Sequence, residues 1–201
     1  MLLIIIHGLI LGFGLILPLG VQNVFVFNTG ATQPSYRRAL PVILTASLCD
    51  TVLILFAVMG LSLVVLNFTW LQSILYGAGC LFLLYMGWVL WKSKPSTGEE
   101  SHSADPRRQV LFTASISLLN PHAILDTVGV IGTNSLSYDG SEKWIYTLTL
   151  VFVSWVWFFG LAFAGRQVGK RYAAGIFLAR MNKVSACIIW GVALYMGSHF
   201  L

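Results

Sequence analysis

Residues 39–66 read ALPVILTASLCDTVLILFAVMGLSLVVL, with Asp50 as the single charged side chain in the run. The stretch exceeds the about 20 mostly apolar residues that a helix needs to cross a bilayer's hydrocarbon core. Backbone amides cannot go unpaired in lipid, and the run is too long and too continuous for a barrel strand, so the sequence predicts a membrane-spanning helix. Working outward, five further apolar stretches of spanning length appear: Leu2 to Phe27, Trp70 to Trp91, Val110 to Gly132, Trp144 to Ala164, and Val184 to Leu201. Trp70, Trp88, Trp91, Trp144 and Tyr146 sit near the ends of these runs, where amphipathic rings anchor at headgroup level.

Composition agrees. The chain has 201 residues, 57% hydrophobic and 9% charged, with a mean hydropathy of +0.82. An ordinary soluble domain carries roughly 25% charged residues, so this chain lacks the polar surface to face water. Its net charge of +5 does not suggest a nucleic-acid partner, because the basic residues lie in loops between apolar runs. Arg37 and Arg38 follow span 1, Lys92, Lys94, Arg107 and Arg108 follow span 3, and Arg166, Lys170, Arg171, Arg180 and Lys183 follow span 5. Of the twelve basic residues only Lys143 falls on the other side. The positive-inside rule predicts loops 1–2, 3–4 and 5–6 in the cytoplasm and both termini outside. Cys49, Cys80 and Cys187 lie inside apolar runs without metal-ligand or disulfide spacing, and read as small buried hydrophobes. The N-terminal run has no basic leader region and continues past Pro18, so it reads as a retained first span.

A polar segment rich in Ser, Pro and acid divides the chain into 1–92, a cytoplasmic linker at 93–109, and 110–201. The two halves share features. Leu84-Tyr85-Met86-Gly87 recurs as Leu194-Tyr195-Met196-Gly197, and spans 1 and 4 each carry a proline followed by polar groups. Three spans per half makes the halves point in opposite directions. The predicted fold is therefore an all-α integral membrane protein, with six transmembrane helices in two inverted three-helix repeats forming one domain. The basic, aromatic stretch from Arg166 to Lys183 suits a short helix on the anionic leaflet, or a plain basic loop.

Two places break the apolar rule, and both centre on a proline: Pro18-Leu19-Gly20-Val21-Gln22-Asn23 and Asn120-Pro121-His122-Ala123-Ile124-Leu125-Asp126. Proline removes an amide donor and frees carbonyls that need partners. Interrupted helices at corresponding positions of two halves point to a transporter's substrate site. The spans hold two acidic residues, Asp50 and Asp126, and no clear Lys or Arg to neutralise them. A buried unpaired carboxylate costs on the order of several kcal/mol, which a cationic solute or a proton would offset. His122 and Asp126 are four apart, so a helix resumed after Pro121 would put them on one face. The sequence contains no phosphate-binding loop, HExxH or Gly-x-Ser-x-Gly motif, so no enzyme, catalytic residue, metal or cofactor is expected. Pairs such as Gly8 with Gly12, or Gly160 with Ala164, would let helices approach closely.

These two motifs resemble the Pro-x-Gly-x-Gln-Asn and Asn-Pro-His-x-x-x-Asp motifs of the LysE-type basic amino-acid exporters, and the length, hydropathy and polar linker extend the resemblance over the whole chain. The first motif ends in Gln-Asn, where exporters of neutral amino acids usually have Gly-Pro, which favours the basic branch. The resemblance implies export of L-lysine and L-arginine. Asp50 and Asp126, with His122, would then meet positive groups or coupling protons, while Gln22, Asn23 and Asn120 would hydrogen-bond the α-carboxylate and α-ammonium. Pro18, Gly20 and Pro121 would shape the broken backbone. Export of a cation against an inside-negative potential costs about 2.3 kcal/mol per 100 mV, which suggests alternating access with proton antiport. The expected partners are the basic amino acid, coupling protons, the lipid bilayer and, for so small a chain, a second copy in a homodimer. Export of a neutral amino acid or another small cation is the alternative. A non-transporting assembly or sensor subunit is a third reading.

Overall fold

In a computed structural model the described residues are 1–17, 20–61, 68–92, 106–118, 120, 123–124 and 127–171, with scattered positions between 183 and 194. They are helical throughout, joined by short turns, and contain no strand. Helix α1 (Leu2–Ile16) runs to the first proline motif, where Leu17 keeps helical dihedrals and Gly20 turns extended (φ −75°, ψ 172°). Helix α2 (Val21–Thr32) then leaves at 81° to α1. Gln33 takes the extended conformation favoured before a proline, and Pro34 ends the helix.

Helix α3 (Tyr36–Phe56) carries Asp50 and ends in a π-helical turn, Ala57–Leu61, in which Gly60 has φ +108°. Only glycine takes that conformation without strain. Helix α4 (Thr69–Lys92) follows, and α5 (Pro106–Leu118) opens on a proline, whose fixed φ suits a first helical turn. Past the second proline motif the chain forms a π-helical turn, Thr127–Gly132, and one turn of helix, Thr133–Ser135. Gly140, at φ +52°, starts helix α6 (Gly140–Arg171).

Two helices are long and apolar enough to cross a membrane among the described residues, Tyr36–Gly60 and Gly140–Lys170, and the bent α1–α2 pair adds a third if it counts as one span. At about 1.5 Å per residue the 32 residues of α6 reach roughly 48 Å, well beyond a core of about 30 Å. Its last turns carry Arg166, Lys170 and Arg171. The sequence reading ended this span at Ala164 and began a separate surface segment at Arg166. The helix instead continues unbroken to Arg171, and Arg166 donates to the Pro34 carbonyl at 3.4 Å. Residues 172–182 lie outside the described residues, as do Pro18, Leu19, most of the linker and much of the predicted sixth span.

Helix α6 is the central post. Helices α1, α2 and α3 all pack on it, α5 packs on α3, and the two π-helical turns pack on each other. One core joins Val26 of α2, Val42, Ile43 and Ala46 of α3, and Phe158 and Ala162 of α6. A second joins Ile4 of α1, Ile54 and Val58 from the end of α3, Ile131, and Tyr146 and Leu150 of α6. Glycines bring α2 and α6 to backbone contact. A Cβ on Gly30 would lie 2.1 Å from the Ala162 carbonyl oxygen, one on Gly165 would lie 2.2 Å from that of Phe27, and one on Gly169 would lie 2.2 Å from that of Ala31. Gly8 and Gly12 similarly seat α1 against Thr149 and Val153. The Gly160 and Ala164 pair does not serve this interface, since nothing lies within 4 Å of a Cβ on Gly160.

Candidate functional site

The first break supplies two amides. Ending α1 at Ile16 leaves its carbonyl without the N–H that the next turn of a continuous helix would bring. The Asn23 side chain fills that place, its Nδ2 donating to the Ile16 oxygen at 2.7 Å. Asn23 Oδ1 accepts from the Trp157 indole Nε1 on α6 at 3.2 Å. Gln22, beside it, points to α3 and donates through Nε2 to the Ala46 carbonyl at 3.5 Å, the outer edge of a hydrogen bond. Both amides are buried.

Ala46 stands one helical turn before Asp50, and Trp157 stands one turn after Ser154. Ser154 faces the Asp50 carboxyl across the α3–α6 seam. It is 2% exposed, and no described residue other than Asp50 partners its hydroxyl. Thr51, next to Asp50, accepts from the Trp155 indole at 3.0 Å. Gln22 and Asn23 of α2 and Trp157 of α6 thus lie within about one helical turn of the Asp50 and Ser154 pair. Among the described residues no Lys or Arg acts on Asp50. The Ser47 hydroxyl, one turn before Asp50, is fully buried and has no partner among the described residues.

Gly20 opens the α2 N-terminus, and the first amide to close the helix is Val24 N–H onto the Gly20 carbonyl at 3.1 Å. A helix N-terminus carries the positive end of the peptide dipoles and suits a carboxylate. The end of α5 brings Asn120, which is 6% exposed; its Oδ1 has no partner among the described residues, and its carbonyl accepts from Ile124 N–H at 3.0 Å. Pro121, His122 and Asp126 lie outside the described residues. Of the sequence-predicted set, Gln22, Asn23, Gly20 and Asp50 come together here. Ser154, Trp155 and Trp157 were not anticipated; the one sequence signal is Ser154, a lone small polar residue within Val151–Trp157.

His7 has a defined place in the protein. Its Nδ1 lies 2.7 Å from the Tyr138 hydroxyl, and its ring packs against Tyr146, at the end of α6 away from Arg166. Trp190 donates to the Leu84 carbonyl at 3.2 Å, and Cys80 Sγ contacts the Ala193 carbonyl at 3.4 Å, joining α4 to the C-terminal segment.

Comparison with known proteins gives this geometry its context. The family model for LysE type translocators matches residues 13–199. YisU of Bacillus subtilis (strain 168), provisionally named as an amino-acid transporter, is 51% identical over 96% of this chain and 88% of its own. The arginine exporter ArgO of Escherichia coli (strain K12) is 31% identical over 94% of this chain and 91% of its own, as is ArgO of Shigella flexneri. No solved structure matches. A broken apolar helix with buried amides, near a carboxylate on which no Lys or Arg acts among the described residues, is thus found in a chain that belongs to the LysE translocator family, whose members are membrane transporters and not enzymes.

Proposed function

We propose that this protein exports basic L-amino acids, arginine and lysine, from the cytoplasm by proton-coupled alternating access. The observation that carries the reading is the half-buried Asp50 carboxylate on α3, facing the buried Ser154 hydroxyl and about one helical turn from the contacts of the Gln22 and Asn23 amides of the broken helix. A carboxylate within a membrane span, with no Lys or Arg acting on it among the described residues, favours a cationic ligand or a proton. In this reading Asp50 meets the substrate's positive group or a proton, Gln22 and Asn120 hydrogen-bond its polar groups, and the α2 N-terminus faces its carboxylate. Asp126 and His122 of the second motif complete the site as a titrating pair. The relatedness to arginine exporters supports the substrate class.

The packing supports six spans in two inverted repeats. Each half carries a proline motif ahead of a long helix, α3 or α6. The broken helix of the first half packs on α6 and α5 of the second half packs on α3, as a two-fold exchange of halves requires. The gathering of Arg37, Arg38, Arg166, Lys170 and Arg171 at one end supports a cytoplasmic face there, with both termini on the other.

The test is uptake of radiolabelled arginine and lysine into inside-out membrane vesicles, with and without an imposed pH gradient, interior acid. The reading expects saturable uptake of both, driven uphill by the gradient and competed by the other basic amino acid but not by threonine or homoserine. Uptake indifferent to the gradient would remove the proton coupling. Competition by the neutral amino acids would move the substrate assignment to the neutral branch.

A further inference from the structure

We infer that Trp157 is a positioning residue of the transport site, acting through Asn23 on the first turn of α2. This rests on the functional reading above, and it revises the role that the resemblance gave to Asn23. Both ends of that amide are engaged by the protein: Nδ2 donates to the Ile16 carbonyl at 2.7 Å, and Oδ1 accepts from Trp157 Nε1 at 3.2 Å. The amide is 6% exposed. A buried amide held at both ends by half-buried partners is spent on shape, since pulling it toward a solute would break both bonds, to the Ile16 oxygen and to the indole N–H, together.

The chain of bonds runs from α6 to α2 to α1. It clamps the last carbonyl of α1 to the first turn of α2 across a bend of 81° and ties both to the turn of α6 that bears Ser154 opposite Asp50. The glycine contacts fix α2 to α6 from Phe27 onward, beginning one turn after Asn23, so at the first turn of α2 the buried Val21 and Val24 supply apolar packing, which has no direction. The Trp157 bond adds a direction to that packing. Gln22 is then the amide of this motif able to turn to a ligand, because its bond to Ala46 is stretched to 3.5 Å. Trp157 thereby sets where the α2 N-terminus and Gln22 stand relative to Asp50, and its loss weakens binding while sparing the rate of the cycle.

The experiment measures arginine uptake kinetics in inside-out vesicles together with hydrogen–deuterium exchange of the purified protein. Trp157→Phe keeps a ring and removes the N–H; Asn23→Ala removes the link. Each is expected to raise KM at least fivefold with Vmax within twofold, and to speed exchange at Val21–Val24 several-fold while the α3 amides near Asp50 stay unchanged. Because one relay is broken in both, the double variant has a KM no higher than the worse single variant. Multiplying KM effects, or an unchanged KM, would overturn the inference. Should Trp157→Phe fail to accumulate, Trp157→His, which retains a ring N–H, must accumulate with a near wild-type KM; failure of both would mean a packing role alone. If the wild type moves no basic amino acid, the functional reading fails, and the exchange at Val21–Val24 still decides the relay.

Discussion

Helix α6 meets α2 and α3 along two seams of opposite character. On the α2 side Gly30, Gly165 and Gly169 let backbone touch backbone, leaving no room for a single added methyl. On the α3 side Phe158 and Ala162 pack on Val42, Ile43 and Ala46, but along that seam the Asp50 carboxyl faces the Ser154 hydroxyl. Lipid tails are as apolar as leucine, so helices in a bilayer are held by close packing rather than by burial, and the glycine seam meets that need. A carboxyl drawn from water without a counter-ion costs on the order of several kcal/mol, so the polar seam is stabilised less than its area suggests. The first seam fixes a broken helix in place, and the second sets polar groups inside an apolar contact, the groups that the proposed function assigns to a solute.

That contrast can be broken at its strongest point. Gly165→Leu drives a side chain into the Phe27 backbone and is expected to destabilise the protein by about 3 kcal/mol or more, read as loss of folded protein after detergent extraction. Wild-type yield would show that the seam has slack and would undo the comparison. At the other extreme, Gly160→Ala lies on the open face of the same helix, where a Cβ meets nothing within 4 Å. Its thermal midpoint is expected to match or slightly exceed wild type, with a gain of at most about 1 kcal/mol from helix propensity. A clear loss of stability there would mean that the exposed face of α6 carries an interface of its own.

The sequence made the membrane class, the proline break and the isolated carboxylate legible, because each is a departure from an apolar background and needs no knowledge of facing. Pro18, Gly20, Gln22, Asn23 and Asp50 stand out in that way, and the structure brings the last three within about one helical turn of one another. The seams were not legible. When lipid and protein interior are equally apolar, a 3.6-residue period carries no signal of which face is buried, so Gly160 with Ala164 and Gly165 with Gly169 look alike on paper. Trp157 was hidden for a related reason. Its ring reads as one more apolar side chain in Ser154–Phe159, and its indole N–H gains meaning only once α2 is placed beside it. The turn at Gly60 was also missed, since its positive φ is a property of the local path and one glycine among 19 gives no hint of it.

The account turns on Asp50 as the group that meets the transported cation or its coupling proton. The direct test is uptake of radiolabelled arginine into inside-out vesicles by wild type and Asp50→Asn at matched membrane content. Neutralising the carboxylate keeps its size and removes the charge, and the account predicts at least a tenfold loss of uptake with the thermal midpoint unchanged or raised. An Asp50→Asn protein that moves arginine at the wild-type rate, with the same dependence on the pH gradient, would contradict it.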